Sequence, residues 1–263
     1  MEDSFYRESD LRRLFRLTTH GKKRVLQQKD RDERETVEQT LDGRTLKTLY
    51  ELTKKKIIYK LEGPIGSGKE SKVFLGRDYN GEAIAVKIFL TSTAEFKKRL
   101  PYITGDRRFE GMKRSGYWLI LLWAKKEYVN LKTAYDNGVD VPRPIMVLNN
   151  VLVMEFIGVN GKKAPLLMET KPTKTDYVKV VRMIRRLYLK ANLVHADLSE
   201  HNIFKLGSRI CFFDFGSAVE VSHPNALEFL IRDIRNINRF FKRNGIEVFE
   251  ERRVLRGINK KWP

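Results

Sequence analysis

His195-Ala196-Asp197-Leu198-Ser199-Glu200-His201-Asn202 is followed, with eleven residues between, by Asp214-Phe215-Gly216, and residues 217–263 are all that come after. Two carboxylates and a side-chain amide in so short a stretch are hard oxygen donors, the kind that suit Mg2+ when phosphate oxygens complete its shell. Fixing three such side chains at once requires a packed scaffold. With 263 residues, 41% of them hydrophobic, there is enough chain for one large domain or two compact lobes.

Upstream, Gly63-Pro64-Ile65-Gly66-Ser67-Gly68-Lys69-Glu70-Ser71-Lys72-Val73 has two readings as a phosphate-holding loop. Gly63 to Lys69 matches the P-loop spacing, but Glu70 stands where a Ser or Thr should meet Mg2+. Ser71 to Gly76 then reads as a strand, whereas a P-loop opens a helix. The alternative is the glycine-rich turn of a kinase: Gly66, Ser67 and Gly68 make the turn and Val73 packs on adenine. Ser71 then takes the third glycine position. Ala85-Val86-Lys87 lies 21 residues beyond Gly66, on a strand apolar from Ala83 to Leu90. A lysine there must reach solvent or an anion, because burying it unpaired is very costly.

In the kinase arrangement Lys87 holds the α- and β-phosphates and is itself held by a glutamate on the next helix. Glu127, mid-helix, is the candidate. The reading against it is a solvated partner for a neighbouring lysine. Met154, Glu155 and Ile157 end an apolar strand where such a chain crosses between lobes. The Glu155 carbonyl and Ile157 amide could bond the adenine edge there. Asp197 would take the proton of the attacking hydroxyl, with Asn202 and Asp214 as metal ligands. A lone H-x-D is more often a surface loop, but here every motif occurs in order. His195 reads as a structural loop residue, and His20, His201 and His223 have no metal-ligand spacing.

Periodicity supplies the order of elements. Thr45 to Leu52 and Trp118 to Asn137 are helical, with Gly138 as a stop. Ser71 to Gly76 and Glu82 to Phe89 form a hairpin about Tyr79-Asn80-Gly81, and Ile145 to Leu148 and Val151 to Ile157 form another about Asn149-Asn150. Thr175-Asp176 caps a helix containing Val178, Val181, Ile184 and Leu187, and His223-Pro224 opens a further one. Residues 91–116 are charged and weakly patterned, and read as a flexible insert. Residues 1–41 read as a helical extension.

The net charge of +19 is unevenly placed. Residues 1–40 balance ten basic against nine acidic side chains, whereas residues 160–190 carry nine against two and residues 231–263 ten against four. That excess fits a polyanionic partner such as RNA, although no RNA-reading motif is visible and a lysine-rich soluble surface is the plainer reading. Cys211 is the only cysteine. It cannot form an internal disulfide, which is consistent with a reducing cytosol. No signal-peptide pattern opens the chain and no apolar run reaches membrane length, so a cytoplasmic, non-membrane protein is expected.

The chain resembles the RIO family of atypical serine/threonine protein kinases, in its Rio-one subfamily. Ser67-Gly68-Lys69-Glu70-Ser71 resembles the family's S-T-G-K-E-A loop, and His195 to Asn202 its H-A-D-L-S-E-x-N. Ser222 to Ala226 and Arg232 to Phe241 resemble its C-terminal signature. Phe215-Gly216-Ser217 departs from the commoner spelling, while Asp214 is retained. The resemblance implies an α+β, bilobal protein-kinase-like fold with an antiparallel-sheet N-lobe (about 42–155) and a helical C-lobe (about 156–263). It also implies a fold trimmed of the activation loop and peptide-binding helices. Ala196 replaces the arginine that docks an activation-loop phosphate in many regulated kinases, and no A-P-E follows.

The resemblance further implies ATP with Mg2+ or Mn2+, Ser/Thr phosphorylation of itself or another protein, and ATP hydrolysis through a transient aspartyl-phosphate on Asp214. A role in small-ribosomal-subunit maturation, with pre-ribosomal RNA as partner, follows from the same source, and the chain is expected to act as a monomer, with oligomerisation as the alternative. Gly66, Ser67, Gly68, Lys69, Ser71, Val73, Lys87, Glu127, Met154, Glu155 and Ile157 are its nucleotide-binding candidates. Thr91, Ser92, Thr93 and Ser115 are the candidate self-phosphorylation sites. Two rivals stand beside this reading: a nucleotide-gated RNA-binding assembly factor, and a small-molecule kinase of the aminoglycoside or choline type. The short stretch after Gly216 counts against the second.

Overall fold

The computed structural model describes residues 41–68, 70–90, 100–112 and 116–258. The expected helical extension over 1–41 lies almost wholly outside these residues, as do Lys69, Thr91, Ser92, Thr93 and Ser115. By contacts the chain divides into two compact units, Met1–Ser92 with Ile145–Phe156, and Thr93–Pro144 with Ile157–Pro263.

Among the described residues, the first unit holds a five-stranded sheet and one helix. Helix α1 (Gly43–Lys54) begins where Asp42 caps it, accepting from Thr45 N at 2.8 Å. Strands β1 (Lys60–Ser67), β2 (Ser71–Arg77), β3 (Ala83–Phe89), β4 (Pro144–Leu148) and β5 (Val151–Glu155) lie in the order β1-β2-β3-β5-β4. The β1–β2, β2–β3 and β3–β5 pairs are antiparallel. Gly81, at φ +82°, makes the turn between β2 and β3, where Asp78 accepts from the amides of Asn80 and Glu82.

Alternation along these strands decides what each face does. Phe74, Ile84, Val86, Ile88, Val151 and Val153 pack with Leu49 and Leu52 of α1 into one buried cluster. Asn150 pins that helix to the sheet, its Nδ2 donating to Thr45 Oγ1 at 2.8 Å and to the Phe89 carbonyl at 2.9 Å. The opposite face is left to the intervening residues, Val73, Ala85, Lys87, Leu152 and Met154.

The second unit is mostly helical. Helix α2 (Tyr117–Asp136) ends at Asn137 and at Gly138, whose φ is +70°. After the short β6 (Gly158–Val159) and β7 (Lys162–Lys163), helix α3 (Lys174–Leu189) opens on a capping box made by Thr173 and Asp176. The cap therefore lies at Thr173, not Thr175: the Thr173 side chain faces the amide of Asp176 and accepts from it. β8 (Leu193–Val194), β9 (Ile203–Leu206), β10 (Arg209–Phe212) and β11 (Val219–Glu220) follow, paired as β8 with β11 and β9 with β10. Helices α4 (Ala226–Arg243) and α5 (Glu251–Ile258) follow.

Two expectations are corrected here. The helix expected to open at His223-Pro224 starts at Ala226. His223 instead forms the turn before it, accepting from Asn225 N at 3.1 Å. Part of the stretch read as a flexible insert is packed, with Ile103 and Phe109 buried and two 3-10 turns over Leu100–Tyr102 and Arg107–Phe109. With Nδ1 accepting, His223 Nε2 donates to this segment, 3.2 Å from the Pro101 carbonyl and 2.9 Å from that of Thr104. By contacts residues 93–144 group with the second unit, in which α2 packs on the segment after Asp214.

Candidate functional site

In the first unit, cross-strand pairing brings Gly66 opposite Val73, Val73 opposite Lys87, and Lys87 opposite Leu152. Residues paired across strands share a face, so these four form one transverse row with Lys87 inside it. Lys87 is 8% exposed, and its ammonium sits 5.2 Å from the ring centre of Phe89. Ala85 pairs with Met154 on the same face, next to Glu155 at the strand end. Register shifts in β1 around Pro64 relax its pairing before the turn, which Gly68 closes by donating to the Ser71 carbonyl at 2.9 Å. Pairing with β2 continues through Ser67, opposite Lys72.

In the second unit, the loop from His195 to Asn202 is held mainly through its backbone. The two oxygens of Asp233, on α4, accept from the amides of Ala196 at 2.8 Å and Leu198 at 2.9 Å. They straddle Asp197, leaving its side chain exposed. Arg232 donates to the Ala196 carbonyl and Asn236 Nδ2 to that of Leu198 at 3.3 Å. Ala196 takes the left-handed conformation, φ +64°, which costs a non-glycine residue energy that these bonds offset. Burial pushes the Asp233 carboxyl up to about 7, against the lowering effect of the two amides it accepts from.

Asn202 Nδ2 donates to the Asp197 carbonyl at 2.7 Å, and Phe213 N donates to the Asn202 carbonyl at 3.1 Å. Because its amide nitrogen is committed inward, the Asn202 Oδ1 is the end available to a cation. Asp214 follows Phe213 directly, in a left-handed conformation at φ +64°, ψ +64°. His195 lies beneath them, fully buried against Phe215 at a ring separation of 4.8 Å. Burial lowers its pKa to about 4, so it is neutral; Nε2 donates to the Phe213 carbonyl at 3.0 Å and Nδ1 has no partner. This matches its reading as a structural residue.

Helix α2 fixes the segment after Asp214. Trp123, Lys126 and Asn130 share one stripe of the helix, at i, i+3 and i+7. Asn130 Nδ2 donates to the carbonyls of Phe215 at 3.0 Å and Ala218 at 2.8 Å, and Lys126 Nζ to those of Gly216 and Ala218. Lys126 and Asn130 escaped the sequence reading, since a lysine beside Glu127 looks like a surface residue. Glu127 is itself buried, on α2 in the second unit, whereas Lys87 is in the first.

No cluster of three His, Cys, Asp or Glu able to hold a metal occurs among the described residues. Asn202 and Asp214 alone make a partial oxygen set. That fits Mg2+, which keeps ligands from substrate phosphates, better than a cation needing a closed protein cage. No helix among the described residues is long and apolar enough to cross a membrane.

Comparison with known proteins places this geometry. The model of the RIO domain matches residues 72–254. The chain is 39% identical over 240 residues to serine/threonine-protein kinase RIO1 of Caenorhabditis elegans, covering 88% of this chain but 46% of that protein. It is 39% identical over 221 residues to RIO-type serine/threonine-protein kinase Rio1 of Haloferax volcanii, covering 83% and 76%. The Rio2 kinase-ADP/Mg2+-phosphoaspartate complex from Chaetomium thermophilum matches with a TM-score of 0.61 at 24% identity, over 81% of this chain and 66% of that one. The expected protein-kinase-like α+β fold is thus observed. The chain belongs to the RIO domain family, with Rio1 proteins as its relatives.

Proposed function

We propose that this chain is an ATP- and Mg2+-dependent serine/threonine protein kinase that also hydrolyses ATP and acts on the pre-ribosomal small subunit. The observation that carries the enzymatic part is the link from Asp197 through Asn202 to Phe213. It ties the backbone of Asp197 to Asn202, and Asn202 to the residue before Asp214, which supports a shared task for the three side chains. The Rio1 relatives support the choice of protein acceptor.

In this reading Gly66, Ser67, Gly68, Lys69, Ser71 and Val73 cover the nucleotide and Lys87 meets its phosphates. Glu127 keeps the role the motif assigns it, and Met154, Glu155 and Ile157 hold the adenine. Asp197 accepts the proton of the attacking hydroxyl as its oxygen bonds to the γ-phosphorus and ADP departs. Asn202 and Asp214 hold Mg2+, which supplies neutralisation of phosphate charge. The Rio2 complex contains a phosphoaspartate. On that precedent we assign a second route to Asp214: its carboxylate attacks the γ-phosphorus, ADP leaves, and water then hydrolyses the acyl-phosphate.

Labelled ATP tests both routes. Label on the protein that survives acid marks phosphoserine or phosphothreonine, and hydroxylamine-labile label marks the acyl-phosphate. Asp197→Ala should lose the first and Asp214→Asn both. A purified protein that neither transfers nor hydrolyses the γ-phosphate, with Asp197→Ala indistinguishable from it, sinks the assignment. The large positive charge favours a second reading, in which nucleotide turnover gates release from RNA and protein phosphorylation is incidental. Subunit maturation that proceeds normally with phosphotransfer abolished but hydrolysis intact would select it.

A further inference from the structure

In the second unit, α3, the β9–β10 hairpin and the segment at Asp140 enclose a groove of about 510 Å3. Lys179, Arg182, Arg185, Arg186, Lys190 and Arg209 line it. Its one carboxylate, Asp140, is taken by Arg209, through Nε at 3.0 Å and Nη2 at 2.9 Å. Lys179 and Arg186 donate to the carbonyls of Ser208 and Gly138, bonds that orient a cation without cancelling its charge. No carboxylate among the described residues pairs with Arg182, Arg185 or Lys190. The two acidic residues of this stretch are used elsewhere: Asp176 meets Lys205 at 2.7 Å, and Glu169 accepts from Leu166 N at 2.8 Å.

The helix dipole accounts for cations in the last turn of α3, but not for Lys179 and Arg182 farther back. We propose that this groove binds the phosphodiester backbone of nucleic acid. Lys179, Arg182, Arg186 and Lys190 recur at i, i+3, i+7 and i+11, one stripe about 16 Å long at the helical rise. A nucleic-acid strand carries a charge per about 3.4 Å of duplex axis, so such a stripe faces several consecutive phosphates. A single phosphoryl group would engage only part of it. Three arginine forks suit phosphate oxygens bidentately. The lining has no aromatic ring on which a base could stack, so recognition there is of the backbone and independent of sequence. None of these residues belongs to the nucleotide or metal set, and the proposal stands apart from the phosphoryl-transfer reading.

The test is fluorescence anisotropy of a labelled RNA of about 20 nucleotides, and of DNA of the same sequence, across about 50 to 200 mM salt. Arg182→Gln/Arg185→Gln/Lys190→Gln changes only exposed side chains. It should raise Kd roughly tenfold and flatten the log–log salt slope by about 2, three contacts at about 0.7 each. Arg182→Gln alone should flatten it by about a third of that. Lys162→Gln/Lys163→Gln, on exposed β7, should bind as the parent does, and ATP turnover should be unchanged in every variant. The proposal is overturned if the triple variant binds like the parent, or if the β7 pair loses as much, which would mean diffuse charge. It is equally overturned if a phosphoserine peptide displaces the RNA at lower concentration than unlabelled RNA does.

Discussion

Lys126 Nζ donates to the carbonyl oxygen of Gly216 at 3.2 Å, two residues past Asp214 and from within a fully buried helix face. With its second bond to Ala218, and with Asn130, it gives the carbonyls of Phe215, Gly216 and Ala218 partners on α2. The position of one candidate metal ligand is therefore set by a helix far from it in sequence.

Lys126→Met keeps the volume and removes the donor, stranding the Gly216 carbonyl at a cost of about 1–3 kcal/mol. Burial lowers the Lys126 pKa to about 7. Between that value and the ordinary 10.5 the unfolded chain binds more protons. The penalty for burying this lysine is thus full below pH 7 and fades as pH rises. Denaturant midpoints of the parent should climb relative to Lys126→Met between pH 7 and 10, and the Mg2+ concentration for half-maximal turnover should be higher in the variant at every pH.

Gly216→Ala should be severe. A Cβ there would stand 2.7 Å from Trp123 Nε1 and 3.1 Å from two further indole atoms, all on a rigid buried ring. Overpacking of this kind typically costs about 1–3 kcal/mol. Calorimetry should show that loss, and Trp123→Leu should recover part of it in the double variant, a coupling absent if the ring can simply turn aside.

Asp233→Ala removes the acceptor for two buried amides on either side of Asp197. Each stranded donor costs about 1–3 kcal/mol. Turnover should fall at least tenfold with KM for ATP little changed, because the exposed carboxylate loses its setting while the nucleotide contacts remain. Asp233→Asn, which can accept from only one amide, should fall between. Equal activity of both variants with the parent would show that the loop holds itself.

Lys205 Nζ meets Asp176 at 2.7 Å beside the cap of α3. Burial works to raise the Asp176 pKa, but its bonds to Lys205 and Thr173 prevail and the net shift is downward. A depressed carboxyl stabilises the fold above its unfolded value, 3.8, and that stability is lost as pH falls through the folded value. Acid titration of the melting temperature should therefore be steeper below pH 4 in the parent than in Lys205→Met.

The motifs and most elements were legible because they rest on local signals. The two hairpins announce themselves through alternation and through Gly81 and Asn149, which take left-handed backbone. Helix α2 was read within one residue of each end. The stretch around 100–112 was not legible, because what orders it is a ring from His223, over a hundred residues away. Helix α5 was missed for a related reason: eight residues rich in arginine become amphipathic only once Val254, Leu255 and Ile258 have something to cover. Lys126 illustrates the limit best. A buried lysine is legible only when the carbonyls it serves are known.

After Asp214 the chain makes one tight turn and joins β8 through Val219 and Glu220. That ladder closes the segment like a buckle. A kinase with a long, hinged stretch at this point can be switched by covalent marks that swing it in or out. A strap five residues long, riveted at both ends, offers no such lever. What the strap is coupled to is α2, whose Lys126 and Asn130 hold its carbonyls, so a displacement of that helix would carry the strap with it as a beam carries what is bolted to it.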